Sequence, residues 1–367
     1  GGEDRVLADE EALLRDYGHE VIRFSRNSGD IRGEGNLRLA VGTIWNRTAA
    51  AELRELAERE KADIVHFHNI VPLISPAAYY AARQAGAAVV QTLHNYRLMC
   101  PAATLCRENR PCRKCVNKIF PWPAIRYKCY RGSLGGSIAL ASMLTVHRVC
   151  GTWTRAVDRY IALTQGARQR FIDGGLPAGR VVVKPNFVYP DPGPGTGAGR
   201  YAVFVGRLSH EKGIDTLLQA WPLVSSPLRL RIVGDGPLRD RVCAAAQLDD
   251  RIEWMGWKDP AEVLDLVGNA GCLIMPSVWV EGFPRSLVEA MAKGTPMIVS
   301  RLGAMAELVE DRRTGLHFEA GNASDLAGTV ERFFSNITNI GAMRSNVRGE
   351  FEVHYTAEAN YHSLCSI

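Results

Sequence analysis

The 367 residues contain no apolar run long enough to cross a bilayer. A spanning helix needs about 20 apolar residues, and the longest candidate, Ile138 to Val146, is interrupted by His147 and Arg148. An ordinary helical span within this sequence is therefore excluded. No segment repeats at a fixed period, which excludes a solenoid or propeller. No Asp-x-Asp triplet occurs, so one compact carboxylate pair for a divalent cation is missing. Acid is nearly absent from residues 97–131, where nine Arg or Lys face the single carboxylate Glu108, a net +8 beside +5 for the whole chain. No nucleic-acid recognition motif accompanies that charge, which sets nucleic acid aside as a partner.

What is present falls into two halves. The length exceeds what one hydrophobic core usually organises, and 46% hydrophobic residues suffice for two cores. Strand-like runs alternate with helical ones: Glu20 to Phe24, Asp63 to Phe67, Ala88 to Leu93, Tyr160 to Leu163, Ala202 to Val205, Leu230 to Val233, Ile252 to Trp254, Cys272 to Met275 and Met297 to Val299. That alternation predicts an α/β protein with parallel sheets covered by helices. Proline and glycine crowd residues 185–199, which reads as a linker between domains 1–184 and 200–350. Residues 351–367 offer a turn and a last helix from about Thr356 to Leu364. Ligands of such sheets sit beyond the strand carboxyl ends, so a cleft between the domains is the expected site.

Two segments carry chemistry. In Val280-Glu281-Gly282-Phe283-Pro284-Arg285-Ser286-Leu287-Val288-Glu289, Glu281 lies in the loop after a strand and Glu289 inside the following helix. Gly282 and Phe283 bring N–H groups to that helix N-terminus, where the positive dipole end favours an anion such as diphosphate. A surface turn and a solvated helix carboxylate would give the same letters. The second segment, Val205-Gly206-Arg207-Leu208-Ser209-His210-Glu211-Lys212-Gly213, tips the balance: Arg207 and Lys212 at a strand end can neutralise a departing phosphate.

These segments, with Gly234-Asp235-Gly236-Pro237 and Gly294-Thr295-Pro296, resemble in order and spacing the retaining glycosyltransferases of family 4 over nearly the whole chain. The resemblance implies a GT-B fold, two Rossmann-like doubly wound domains facing a central cleft, and a nucleoside-diphosphate sugar donor of UDP or GDP type. It implies that Glu281 contacts the donor sugar, that Glu289 holds the ribose hydroxyls, and that Arg207 with Lys212 grips the diphosphate in place of a catalytic metal. Pro284 departs from the glycine of many relatives; it removes one N–H but suits a first helical position, leaving Arg285 and Ser286 as donors. Gly234, Asp235, Trp257 and Lys258 would read the base through main-chain contacts. His94 matches the histidine near the reacting sugar, with His68 a weaker candidate for the acceptor pocket. Gly1 and Gly2 would open a helix facing the donor. The chain begins beyond the relatives' first strand, so the amino-terminal sheet is expected to lack a central member.

The basic segment 97–131 interleaves Phe120, Trp122, Tyr127 and Tyr130 with its charges. It suits anionic lipid headgroups and hence an acceptor carried on a polyprenyl lipid; a solvated loop or a surface for a phosphorylated acceptor stays open. Cys100, Cys112, Cys115 and Cys129 can close a four-thiolate structural zinc site, with disulfides or free thiols as the alternatives. The nine cysteines make an odd total, which suits a reducing compartment. The final helix is expected to cross back to the first domain through Tyr355, Tyr361 and Leu364. Together these features predict a metal-independent retaining glycosyltransferase of cell-surface polysaccharide synthesis, cytoplasmic and peripheral at the inner membrane face, acting on a glycan or lipid-linked acceptor. A GT-B sugar-nucleotide epimerase, or a non-catalytic glycan-binding or zinc-containing scaffold, are the alternatives.

Overall fold

The computed structural model describes residues 2–26, 36–108, 110–335 and 337–367. It divides into two compact units. Unit 1 comprises Gly1–Arg107 and Pro111–Lys184, and unit 2 comprises Pro185–Ser366; Glu108–Arg110 group with unit 2 and Ile367 with unit 1.

Unit 1 is built on β1 (Ile64–Phe67), β2 (Ala88–Thr92), β5 (Arg159–Ala162) and β6 (Val181–Val183), in the order β1-β2-β5-β6; a separate pair, β3 (Cys106–Arg107) and β4 (Arg110–Pro111), lies in the basic segment. All ladders of the four-stranded sheet are parallel. Unit 2 carries β7 (Tyr201–Val205), β8 (Arg229–Val233), β9 (Ile252–Gly256), β10 (Cys272–Met275), β11 (Met297–Ser300) and β12 (Gly315–Phe318), in the order β12-β11-β10-β7-β8-β9, again parallel. Every residue of β10 and β11 is buried, as expected of strands covered on both faces. The order reverses between β7 and β10. Ligand crevices of open α/β sheets form outside the strand carboxyl ends at such a switch point, and the loops opening there are Gly206–Gly213 and Pro276–Pro284.

Glu20 to Phe24 is not a strand: residues 19–26 have no regular structure. The alternation Val21, Ile22, Phe24 suggested one, but Ile22 is 46% exposed, and a strand without a buried face or a paired neighbour has nothing to hold it. β6 and β12 escaped the sequence reading. The helix Arg285–Ala292 begins one residue after Pro284, which occupies the N-cap at φ −68°, ψ 118° rather than the first helical turn. Residues 185–199 are bonded along unit 2: Gly195, Gly197 and Gly199 donate to the carbonyls of Lys293, Gly268 and Asn269, while Arg348 grips Asp191 through both Nη atoms.

Candidate active site

In unit 2, three loop ends lock backbone to backbone. A Cβ on Gly213 (φ +74°) would stand 1.8 Å from Pro276 O, and one on Gly234 (φ +133°) would stand 2.0 Å from Gly206 O. Leu208 N–H donates to Asp235 O and Val278 N–H to Glu211 O. The loops after β7, β8 and β10 therefore form one close-packed floor.

On that floor Lys212 Nζ meets Glu281 Oε1 at 2.6 Å, with side chains 25% and 6% exposed. Ser277 Oγ donates to the same oxygen at 2.8 Å, which leaves Oε2 without a protein partner among the described residues. The ammonium also lies 5.6 Å from the centroid of the Trp279 ring, whose Nε1–H is buried without an acceptor. Arg207 is exposed and its side chain makes no bond among the described residues. Four positions along the next helix, Arg285 Nε donates to Glu289 Oε1 at 2.8 Å. The site thus holds two cation–carboxylate pairs, a combination that reading each residue singly did not foresee. Gly282 is half-buried; Phe283 is buried, edge-on to Tyr355 at 6.2 Å; Ser286 lies in the first helical turn, its N–H without an acceptor among the described residues.

Asp235 is exposed, its Oδ1 accepting from Gly236 N–H at 2.7 Å. Trp257 is 73% exposed. Lys258 turns its ammonium to Glu262 at 3.1 Å and lines a groove with Tyr201, Arg231 and Asn269.

In unit 1, β1 and β2 end in a buried polar network. His68 Nδ1 and His94 Nε2 are 2.9 Å apart. Glu10, on the helix Gly2–Asp16, receives Lys184 Nζ at 2.9 Å, His66 Nδ1 at 2.9 Å and His68 Nε2 at 3.5 Å. Burial would raise the Glu10 pKa, but Lys184 and the two histidines outweigh it and hold the carboxyl well below its usual range. Burial pulls His68 down and takes His94 to about 3, the neighbouring His68 adding to the effect. Both rings are neutral at physiological pH. Sequence reasoning missed Glu10 and Lys184, although Glu10 falls at helical spacing between buried Val6 and Leu13, where a carboxylate on an apolar face is a signal.

Gly2 is the first residue of that helix; Gly1 lies outside the described residues. Glu3 in its first turn accepts from Asn69 and Asn95, bridging the ends of β1 and β2. The four cysteines proposed for zinc are free thiols, with Cys115 buried and Cys100, Cys112 and Cys129 half-buried. Burial, with Cys100 nearby, pushes Cys115 up to about 11, and burial raises Cys129 as well. Among the described residues, the group of ligating side chains whose donor atoms lie within 4.8 Å of one another is Glu10, His66 and His68; no three of these sulfurs stand that close. Also among the described residues, no helix is long and apolar enough to cross a membrane.

Two parallel doubly wound sheets, one of them with a cation-rich floor at its switch point, define a glycosyltransferase of the GT-B class. The structure superposes on sucrose-phosphate synthase from Thermosynechococcus elongatus with a TM-score of 0.72 at 17% identity, covering 100% of this chain and 92% of that one. Anabaena HepE in complex with UDP-glucose gives 0.67 at 17% identity, covering 100% and 96%. The family model Glycosyltransferase Family 4 matches residues 1–191 and Glycosyl transferases group 1 matches residues 196–348. The chain belongs to glycosyltransferase family 4. It is 28% identical to the 2-deoxystreptamine glucosyltransferase of Streptomyces kanamyceticus over 94% of its own length and 88% of that protein. It is also 27% identical to the lipopolysaccharide 1,6-galactosyltransferase of Escherichia coli over 50% and 54%.

Proposed function

We propose that this chain is a retaining glycosyltransferase that moves a sugar from a UDP-type donor to a glycan or lipid-linked acceptor in polysaccharide synthesis. The Lys212–Glu281 pair at the switch point carries the reading. When a donor enters, the phosphate oxygens draw the ammonium away from Glu281, and the freed carboxylate accepts a sugar hydroxyl. Arg207 and the N–H groups at the start of Arg285–Ala292 add positive potential where negative charge develops on the leaving diphosphate. Arg285 in turn yields Glu289 to the ribose. The donor bound by HepE supports UDP over GDP, and the acceptors named for the two relatives support a hydroxylated sugar or cyclitol acceptor. The departing phosphate takes the acceptor proton, so no divalent ion is needed.

The reading includes a peripheral membrane surface in the segment 97–131 and its flanks, where Ile119 is 67%, Phe120 45% and Trp122 49% exposed beside the basic residues. It also includes a structural zinc on Cys100, Cys112, Cys115 and Cys129, which requires the four sulfurs to draw together around the ion. Domains 1–184 and 200–350, with the segment 351–367 returning to the first, complete it.

The test is calorimetric titration with UDP, GDP and ADP, followed by transfer from the donor of the base that binds. UDP binding that disappears in Glu289→Ala, together with acceptor-dependent release of free UDP and a product of unchanged anomeric configuration by proton NMR, is expected. Release of UDP independent of acceptor indicates an epimerase, and a folded chain that binds no nucleotide refutes the reading.

A further inference from the structure

We propose that Glu10, clamped by Lys184, and His68 are positioning residues that fix His94 as the neutral tautomer protonated at Nε2, with the Nδ1 lone pair left for a substrate hydroxyl. This rests on the reading of His94 as the residue beside the reacting sugar and goes beyond it by assigning which nitrogen works and what holds it.

The assignment follows from counting donors. Ionised Glu10 can only accept, so His68 presents Nε2–H to it, across 3.5 Å. A neutral His68 then has a bare Nδ1, and the contact at 2.9 Å requires His94 to donate from Nε2. The reverse direction would make His68 an imidazolium, which its buried position disfavours. His94 Nδ1 has no protein partner among the described residues, and the ring lines a cleft with Asn69, Asn95, Arg97 and Trp153. His66 is a second brace: Nδ1–H donates to Glu10 at 2.9 Å, and Nε2 accepts from Thr92 Oγ1 at 2.8 Å. The backbone of His68 is held from the other side, since Gln91 Nε2 donates to His68 O at 3.0 Å and Tyr79 Oη donates to Gln91 Oε1 at 2.7 Å.

Glu10, His66 and His68 also have a spacing that suits a metal ion, but Lys184 argues against one. Its ammonium sits 2.9 Å from Glu10 Oε2 with both side chains almost fully buried, so the carboxylate already has its cation, and a divalent ion beside Lys184 would meet repulsion in a low-dielectric interior. The network is a closed chain of donors from Lys184 and the histidines, ending at the open nitrogen of His94. Second-row partners that set an imidazole tautomer in this way are a general device.

The experiment uses the full chain with nitrogen-15-labelled histidine. Long-range proton–nitrogen spectra of the wild type should show His94 protonated at Nε2 and bare at Nδ1 from pH 6 to 8. Removing Glu10 alone strands Lys184, so the pair is removed together as Glu10→Gln with Lys184→Met, beside His68→Leu and the surface control Glu11→Gln. Both network variants should show mixed His94 tautomers and a kcat at least tenfold lower, with donor KM within twofold of wild type; the control should match wild type. A wild-type His94 protonated at Nδ1 overturns the proposal whether or not the variants fold. So do network variants with unchanged tautomer and kcat. If the wild type transfers no sugar, the functional reading fails separately, and the spectra alone decide the tautomer.

Discussion

Replacing Lys212 by alanine would leave Glu281, 6% exposed, with the Ser277 hydroxyl as its remaining protein partner among the described residues. A buried acceptor deprived of its charged partner costs about 1–3 kcal/mol, which lowers the melting point by roughly 4–8 °C for about 2 kcal/mol in a unit of this size. Lys212→Met with Glu281→Gln removes both charges, so it should regain most of that stability in a thermal melt while remaining at least about a hundredfold slow in transfer. Recovered activity in the double variant would show that the pair is structural. The conserved logic of the motif made Glu281, Lys212, Arg207 and Glu289 legible one at a time in the sequence. That the free protein stores its cations against its carboxylates was not legible, because Lys212 and Glu281 stand 69 positions apart and only the fold brings them to 2.6 Å. Glu10 and Lys184, 174 positions apart, were hidden for the same reason: each alone looks like a solvated charge.

Among the elements, those with apolar runs of four or five residues could be read directly. β2, β5, β7, β8, β10 and β11 are buried on both faces, and such runs need no tertiary information. β6 has three residues before Lys184, and β12 opens on a glycine and includes His317; both exist because a neighbouring strand offers a ladder. Glu20 to Phe24 had the pattern without the partner. Backbone proximity was equally invisible. Gly213→Ala puts a methyl group where Pro276 O already lies and forces a left-handed φ on alanine, so the loop carrying Lys212 must shift. A loss of about 2 kcal/mol or more in urea unfolding, with at least a tenfold weaker UDP affinity, is expected; alanine at Gly341, where nothing lies within 4 Å, should leave affinity unchanged.

At the level of the whole molecule, the two units should respond differently to acid. His68 and His94 in unit 1 have folded pKa values below their unfolded value of about 6.5, His94 at about 3. Between those limits the unfolded chain binds more protons than the folded one, so stability falls as pH drops from about 6.5 toward 3. Depressed Glu10 acts in the same direction at lower pH, its contribution present above its unfolded value and lost as pH falls through its folded one. The loss for unit 1 is on the order of a few kcal/mol. Scanning calorimetry from pH 7.5 to 4.5 should show one transition moving down much faster than the other, and replacing His94 by glutamine should flatten that dependence. Parallel shifts of both transitions would contradict the assignment.

The bonded course of residues 185–199 decides where this gene can be cut. Arg344 donates to Gly195 O, Gly268 O and Lys293 O, and Arg348 grips Asp191, so the proline- and glycine-rich stretch is a fitted edge of unit 2 and not a slack tether. A protease should find it a poor target despite its composition. An expression fragment starting at Arg200 would leave two guanidinium groups facing vacated sockets, whereas one starting at Pro185 keeps them filled and should give the higher soluble yield.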